Sequence, residues 1–146
     1  MQYIIPLNII DLQGDGFHPL IDITLFGKSY KLVLDTGASR TALDKTLLAE
    51  ANGEDFILAS DKLSTGLGTN SMVSFTATLS DMHLGELKLD SFDVAVLDLS
   101  TINIAYEQLN HPKVLGVLGG DVLMKYKAVI DYGKRQITLK TRKRKS

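Results

Sequence analysis

The sequence predicts a mainly-β fold with one to three short helices. Apolar and polar residues alternate along short segments such as Pro19–Phe26, as in strands that bury one face. Turn-type residues, above all glycine, separate these segments, as they do between the strands of hairpins. About 45% of the 146 residues are hydrophobic, which is enough for a core. We expect a single domain over residues 1–140.

The first strands lead to a carboxylate. Tyr3–Ile10 is predicted to be a strand, and a glycine-containing loop follows it. Pro19–Phe26 and Ser29–Leu34 are predicted to pair as a hairpin around Gly27-Lys28. This hairpin delivers Asp35 at its far end.

Three short helices are predicted over Ala42–Ala51, Ser100–Leu109 and Asp121–Tyr126. Asn52-Gly53 closes the first helix, and Asn110-His111-Pro112 ends the second. Thr101 is a candidate cap for the second helix, and Asp121 for the third.

The remaining segments are predicted to be strands. A short strand at Phe56–Ala59 precedes a long hairpin within residues 60–80, whose glycine-rich tip is Thr65–Asn70. The other predicted strands are the pair His83–Leu89 and Phe92–Leu97 around Asp90-Ser91, the glycine-cut run Val114–Gly120, and the terminal hairpin of Lys127–Asp131 with Gln136–Lys140.

Composition excludes several kinds of site. The chain has no cysteine, so disulfides, thiolate metal sites and a cysteine nucleophile are excluded. Its three histidines, His18, His83 and His111, show no ligand spacing, and we predict neither a metal nor another cofactor. The apolar runs are too short to span a bilayer, and the first ten residues lack the basic start of a signal peptide. We therefore expect a cytoplasmic protein.

The charge is unevenly distributed along the chain. The net charge is −1, but residues 134–146 carry +7, and the other residues hold 9 basic and 17 acidic side chains. We predict that residues 141–146 form a disordered, solvated basic tail. The alternative is a tail that contacts a nucleic acid or an anionic membrane.

Asp35-Thr36-Gly37 is an unusual end for an apolar strand. Aspartate is poor in strands, and its burial is costly unless it is hydrogen-bonded or paired. The segment is therefore either an Asx-type turn or a carboxylate held in a functional site. The residues around it decide between these alternatives.

Three motifs in order resemble the retropepsin-like aspartic proteases. They are Val33–Ser39, the hairpin around Gly66–Asn70, and Val117–Gly119 before a helix, and the resemblance covers about Gly27–Leu139. It implies an acid-protease closed β-barrel with one lobe per chain and a flap hairpin. The extra N-terminal strand and the Ser100–Pro112 insertion indicate a bacterial or cellular type rather than a viral one.

The resemblance also implies residue roles. Asp35 is the expected catalytic carboxylate, Thr36 braces the paired loops, and Gly37 donates its N–H to the carboxylate. The expected flap residues, which close over the substrate, are Gly66, Leu67, Gly68, Thr69 and Asn70. The residues expected to support the catalytic loop are Ala38, Ser39, Val117, Leu118 and Gly119.

Peptide hydrolysis by carboxylates needs two of them sharing one proton. The sequence has one such motif, because Ser64-Thr65-Gly66 lacks the carboxylate. We therefore expect an aspartic endopeptidase that cleaves extended peptides as a homodimer, with one Asp35 from each chain. Two alternatives are a catalytically silent acid-protease fold for peptide binding or dimerisation, and a β-barrel binding domain whose tail recruits an anionic partner.

Overall fold

The computed structural model describes residues 1–60 and 74–142, and in them strands predominate. The helices are α1 (Lys45–Asn52), α2 (Ser100–Gln108) and α3 (Gly120–Lys125). The strands are β1 (Gln2–Pro6), β2 (Asn8–Asp11), β3 (Phe17–Leu25), β4 (Lys28–Leu34), β5 (Ala42–Asp44), β6 (Leu58–Ser60), β7 (Ser74–Leu79), β8 (Met82–Leu84), β9 (Leu87–Lys88), β10 (Phe92–Leu97), β11 (Gly116–Leu118), β12 (Val129–Asp131) and β13 (Gln136–Lys140). The mainly-β class with short helices is confirmed.

The strands form two sheets. The smaller has the order β1-β13-β12, and the larger has the order β6-β7-β10-β5-β11-β4-β3-β8-β9, with β2 also paired to β3. Among the described residues the larger sheet runs from β6 to β9 without a pairing between these two strands. Closure into a barrel stays a prediction.

The β3–β4 hairpin matches the prediction, with a turn one residue earlier. Phe26 and Gly27 form the turn, with φ of 54° and 74°. Two positive φ values are the hallmark of the type I′ turn, whose twist suits a hairpin. β4 then leads directly into Asp35.

The predicted strand Tyr3–Ile10 is divided between the two sheets. β1 pairs with β13 and β2 pairs with β3, so the chain changes sheet at Leu7. The Leu7 side chain is buried, and its N–H donates to the Arg135 carbonyl at 2.9 Å. The first residues of the chain are thereby tied to its last strands.

The helix predicted over Ala42–Ala51 is wrong in its first three residues. Ala42–Asp44 is β5, which pairs with β10 on one side and β11 on the other. All three residues are buried, and burial between two strands overrides their helical pattern. Asp44 is the N-cap of α1, and its Oδ2 accepts from the N–H of Leu47 at 3.0 Å.

Both predicted caps of the later helices are also corrected. Thr101 lies inside α2, and the N–H of Ser100 is instead bound by the Asp98 carboxylate at 3.0 Å. Hydrogen bonds from the Ser100 hydroxyl and N–H hold the pKa of Asp98 below its usual range. α3 begins at Gly120 with Gly119 as N-cap, so Asp121 lies in its first turn.

Some strand predictions need a different partner or boundary. The predicted pairing of His83–Leu89 with Phe92–Leu97 is wrong, because β8 pairs with β9 and β10 pairs with β7. The strand predicted at Phe56–Ala59 is β6, which begins two residues later and ends one residue later than predicted. The run Val114–Gly120 contributes only β11. The terminal hairpin of β12 and β13 is confirmed.

Two apolar clusters fill the interior. The main cluster draws on nearly every strand and includes the fully buried Leu32, Leu43 and Leu118. A second cluster lies under α2, and its buried members are Ile10, Leu20, Val33, Tyr106 and Val114. Within residues 1–60 and 74–142, no helix has the length and apolar character needed to cross a membrane.

Candidate active site

Asp35 lies on an exposed loop immediately after β4. Its Oδ1 accepts a hydrogen bond from the Gly37 N–H at 2.9 Å, and its carbonyl accepts from the Ala38 N–H at 3.2 Å. The tight turn orients the carboxylate, while Asp35, Thr36 and Gly37 are all exposed. The carboxylate is thus fixed by its own loop and open to a ligand.

The strand β11 supports this loop from below. The Asp35 N–H donates to the Leu118 carbonyl at 3.0 Å, and Val117 is the register partner of Val33. The backbone contacts continue into α3, because the Gly120 N–H donates to the Ala38 carbonyl at 2.7 Å. The apolar-Gly motif and the Asp35 motif are therefore one unit in space.

Glycine is required at two points where β11 meets the chain around β5. A Cβ atom on Gly116 would lie 2.1 Å from the Ala42 carbonyl oxygen. A Cβ atom on Gly119 would lie 2.5 Å from the carbonyl carbon of Arg40 and 2.8 Å from the carbonyl oxygen of Ala38. Since these obstacles are backbone atoms, a side chain cannot be accommodated by a rotamer change.

A buried polar contact behind the loop was missed by sequence reasoning. Thr41 is fully buried, and its N–H and hydroxyl donate to Asp121 Oδ1 at 2.9 and 2.8 Å. The Thr41 hydroxyl in turn accepts from the Gly119 N–H at 3.1 Å. These residues are about eighty positions apart, and the only sequence signal is a carboxylate at the start of a helix.

The predicted site residues are distributed over this unit as follows. Thr36 is exposed beside Asp35, Ala38 is half-buried, and the Ser39 carbonyl accepts from the Asp121 N–H at 3.1 Å. Val117, Leu118 and Gly119 lie against the loop. The predicted flap residues Gly66, Leu67, Gly68, Thr69 and Asn70 fall outside the described residues.

The strand that leads into Asp35 is anchored by apolar packing. Val33 is buried in the cluster that contains Tyr106 of α2, and its register partner Val117 packs against the same cluster. Leu32 and Leu34 belong to the main cluster. The start of the Asp35 loop is therefore fixed from both faces of β4.

The Asp35 carboxylate has no salt-bridge partner among the described residues. Within residues 1–60 and 74–142, the salt bridges formed by Lys and His involve Asp22, Asp81 and Asp90, and none reaches Asp35. In the same residues, no three His, Cys, Asp or Glu side chains are grouped to hold a metal ion. In the part of the chain that the structure describes, the Asp35 carboxylate therefore has neither a cationic partner nor a metal site.

Comparison with known proteins bears on the fold and the family. The sequence matches the aspartyl protease family model over residues 21–122. A retropepsin-like aspartic protease from Rickettsia conorii has a similar crystal structure, with 19% identity, a TM-score of 0.53, and coverage of 95% of this chain and 90% of that chain.

A second similar crystal structure is the retroviral protease-like domain of Ddi1 from Leishmania major. It shares 14% identity with a TM-score of 0.55, over 82% of this chain and 86% of that chain. At such identities the likeness shows the fold alone, and it confirms the predicted retropepsin-like fold. Comparison with curated protein sequences found no match.

Proposed function

Because the chain belongs to the aspartyl protease family, we propose that it is an aspartic endopeptidase that acts as a homodimer. The observation that carries this proposal is the exposed Asp35 carboxylate on a rigidly supported loop. Its only hydrogen bond within the described residues comes from Gly37. A second copy of the same loop, related by a two-fold axis, would supply the missing carboxylate.

The mechanism follows from two carboxylates in contact. Like charges at hydrogen-bonding distance cannot both ionise, so the pair holds one proton. The ionised Asp35 takes a proton from a water molecule, and the protonated Asp35 donates a hydrogen bond to the peptide carbonyl. The Gly37 N–H keeps each carboxylate oriented while the proton changes place.

The proposed substrate class is an extended polypeptide, which can pair with the protein as an additional strand. We further propose that the predicted flap, Gly66–Asn70, closes over the substrate and pairs with it as a strand.

Mixing wild type with the Asp35→Asn variant tests both parts of the proposal. The variant alone should cleave no peptide of a fluorescence-quenched library. If both carboxylates must come from different copies, mixed dimers are inactive. An equal mixture that has exchanged subunits then retains about one quarter of the wild-type activity rather than one half.

Glu86→Gln is the matched control, because Glu86 is exposed on the turn between β8 and β9, and β8 pairs with the end of β3 that is opposite to Asp35. An equal mixture of wild type and this variant should keep full activity. Activity that falls in direct proportion to the wild-type fraction would show that one copy suffices. Peptide binding without cleavage, unchanged by Asp35→Asn, would favour the catalytically silent fold.

A further inference from the structure

We propose that a basic groove on this protein binds the phosphate backbone of a nucleic acid without reading its sequence. The groove is a cavity of about 650 Å³. Its charged lining consists of one carboxylate, Asp90, and five cations, Lys88, Lys125, Lys127, Lys140 and Arg142. The proposal is independent of the proposed peptidase activity.

The cations come from separate parts of the chain, and hydrogen bonds of Tyr126 join three of these parts. The Tyr126 carbonyl accepts from the Lys140 N–H at 2.7 Å, which joins the end of α3 to β13. The buried Tyr126 hydroxyl accepts from the Asp90 N–H at 3.0 Å, which joins α3 to the segment after β9. The positive charge is therefore built into the fold.

Most of this charge is free to meet an anion. Lys125 pairs with Asp90 at 3.1 Å, and within residues 1–60 and 74–142 the other four cations form no ion pair. All five cationic side chains are exposed. An anionic ligand would add favourable contacts here without breaking existing ones.

The shape and lining favour a phosphate chain over a membrane. The apolar lining residues, Leu87 and Tyr126, are buried and cannot insert into a bilayer. Successive phosphates of a nucleic acid supply closely spaced charges for cations that lie along a groove. Among the described residues that line the groove there is no exposed aromatic ring, so these residues can hold the backbone but cannot stack bases.

Further positively charged residues follow the groove residues in the sequence. Lys143, Arg144 and Lys145 follow Arg142 directly, whereas the chain before residue 134 is strongly acidic. Outside the groove, this acidity disfavours nucleic acid. Binding should therefore be electrostatic and local to this face.

The test is fluorescence anisotropy of a labelled oligonucleotide, RNA or DNA, of about 20 nucleotides titrated with the full chain. Counterion release by four free cations should weaken binding about 50-fold between about 50 and 200 mM salt. Replacing two of them, in the Lys88→Gln/Lys140→Gln variant, should lower the salt slope by about 1.4 and the affinity at low salt by about tenfold or more.

The matched control is Lys28→Gln/Lys113→Gln, which removes the same charge from a different cleft. This variant should bind within about threefold of wild type, because screening limits the influence of distant charges. Equal losses for both double variants would mean that only net charge matters, and would overturn the groove proposal. So would unchanged binding by the groove variant.

Two other negatively charged ligands test whether the groove binds a nucleic acid in preference to an acidic protein or an anionic membrane. Polyglutamate of matched length and vesicles rich in phosphatidylserine are titrated in the same buffer. The proposal expects the oligonucleotide to bind at least about tenfold tighter than either. Comparable or tighter polyglutamate binding would overturn it in favour of an acidic protein partner, and groove-dependent vesicle binding in favour of a membrane.

Discussion

At the residue scale, Gly119 is the point on which the candidate site depends most closely. Gly119→Ala places a methyl group against the backbone of Arg40 and Ala38, so we expect a loss of about 3 kcal/mol in unfolding free energy. Peptidase activity should fall with it, because the loop bearing Asp35 must move. Urea unfolding followed by circular dichroism measures the change.

Gly120 is the control for this substitution. A Cβ atom there meets its nearest neighbours at 3.5 Å, which is ordinary contact. Gly120→Ala should therefore leave stability within about 1 kcal/mol of wild type. Equal destabilisation by both substitutions would contradict the close packing of Gly119.

The sequence predicts the loop that carries Asp35 better than it predicts the contacts that hold this loop in place. Asp35 and the glycine motif of Val117–Gly119 are visible as motifs because short local patterns carry them. The contact between Thr41 and Asp121 depends on chain geometry that brings together residues 80 positions apart, and no local pattern encodes it. For the same reason the sequence predicts only a helix cap at Asp121, whereas its carboxylate accepts from Thr41.

At the scale of elements, Asp44 connects two helices. Its Oδ2 caps α1 at Leu47, and its Oδ1 accepts from the Leu99 N–H at 2.8 Å, just before α2. Since the carboxylate is buried, Asp44→Ala should cost about 2–4 kcal/mol in unfolding free energy. Asp44→Asn keeps one acceptor oxygen and should lose clearly less; equal losses in thermal unfolding would contradict the double role.

Asp44 also explains why the helix boundary was misplaced. Ala42 and Leu43 fit a helical pattern with Leu47, and the sequence alone has no means to show strands on both sides of them. The signal that was present is the aspartate itself, three residues before Leu47, which is typical of an N-cap. Packing between β10 and β11 then decides that the preceding residues are extended.

A second connection between elements is the contact of Tyr106 in α2 with His18 in β3. Its hydroxyl lies 2.6 Å from His18 Nδ1, and burial raises the pKa of Tyr106 to about 12. In the unfolded chain a tyrosine ionises near pH 10. The folded state therefore binds this proton more tightly, and its contribution to stability is complete below about pH 10 and is lost as the pH rises towards about 12.

Tyr106→Phe should remove that part of the alkaline destabilisation. Unfolding free energy measured between about pH 8 and pH 11 should fall less steeply for this variant than for wild type. The exposed Tyr132 provides the control, since Tyr132→Phe should leave the slope unchanged. Parallel profiles for wild type and Tyr106→Phe would disprove the assignment.

At the scale of the whole molecule, the chain presents half of the proposed two-carboxylate site. If two copies complete it, association stabilises the folded state by mass action. A tenfold increase in protein concentration should then raise the melting temperature by about 2–3 °C, because the unfolding entropy of both chains enters. Calorimetry at several concentrations checks this, and a melting temperature independent of concentration would contradict a stable homodimer.

The position of β11 between β4 and β5 has a consequence for synthesis of the chain. β4 and β5 are made early, yet the strand that separates them follows about 75 residues later. Until residues 116–120 have left the ribosome, β11 cannot form and support the Asp35 turn. A nascent or truncated chain that lacks residues 116–120 therefore carries the carboxylate without its supporting strand, and we expect cleavage activity only after these residues have been made.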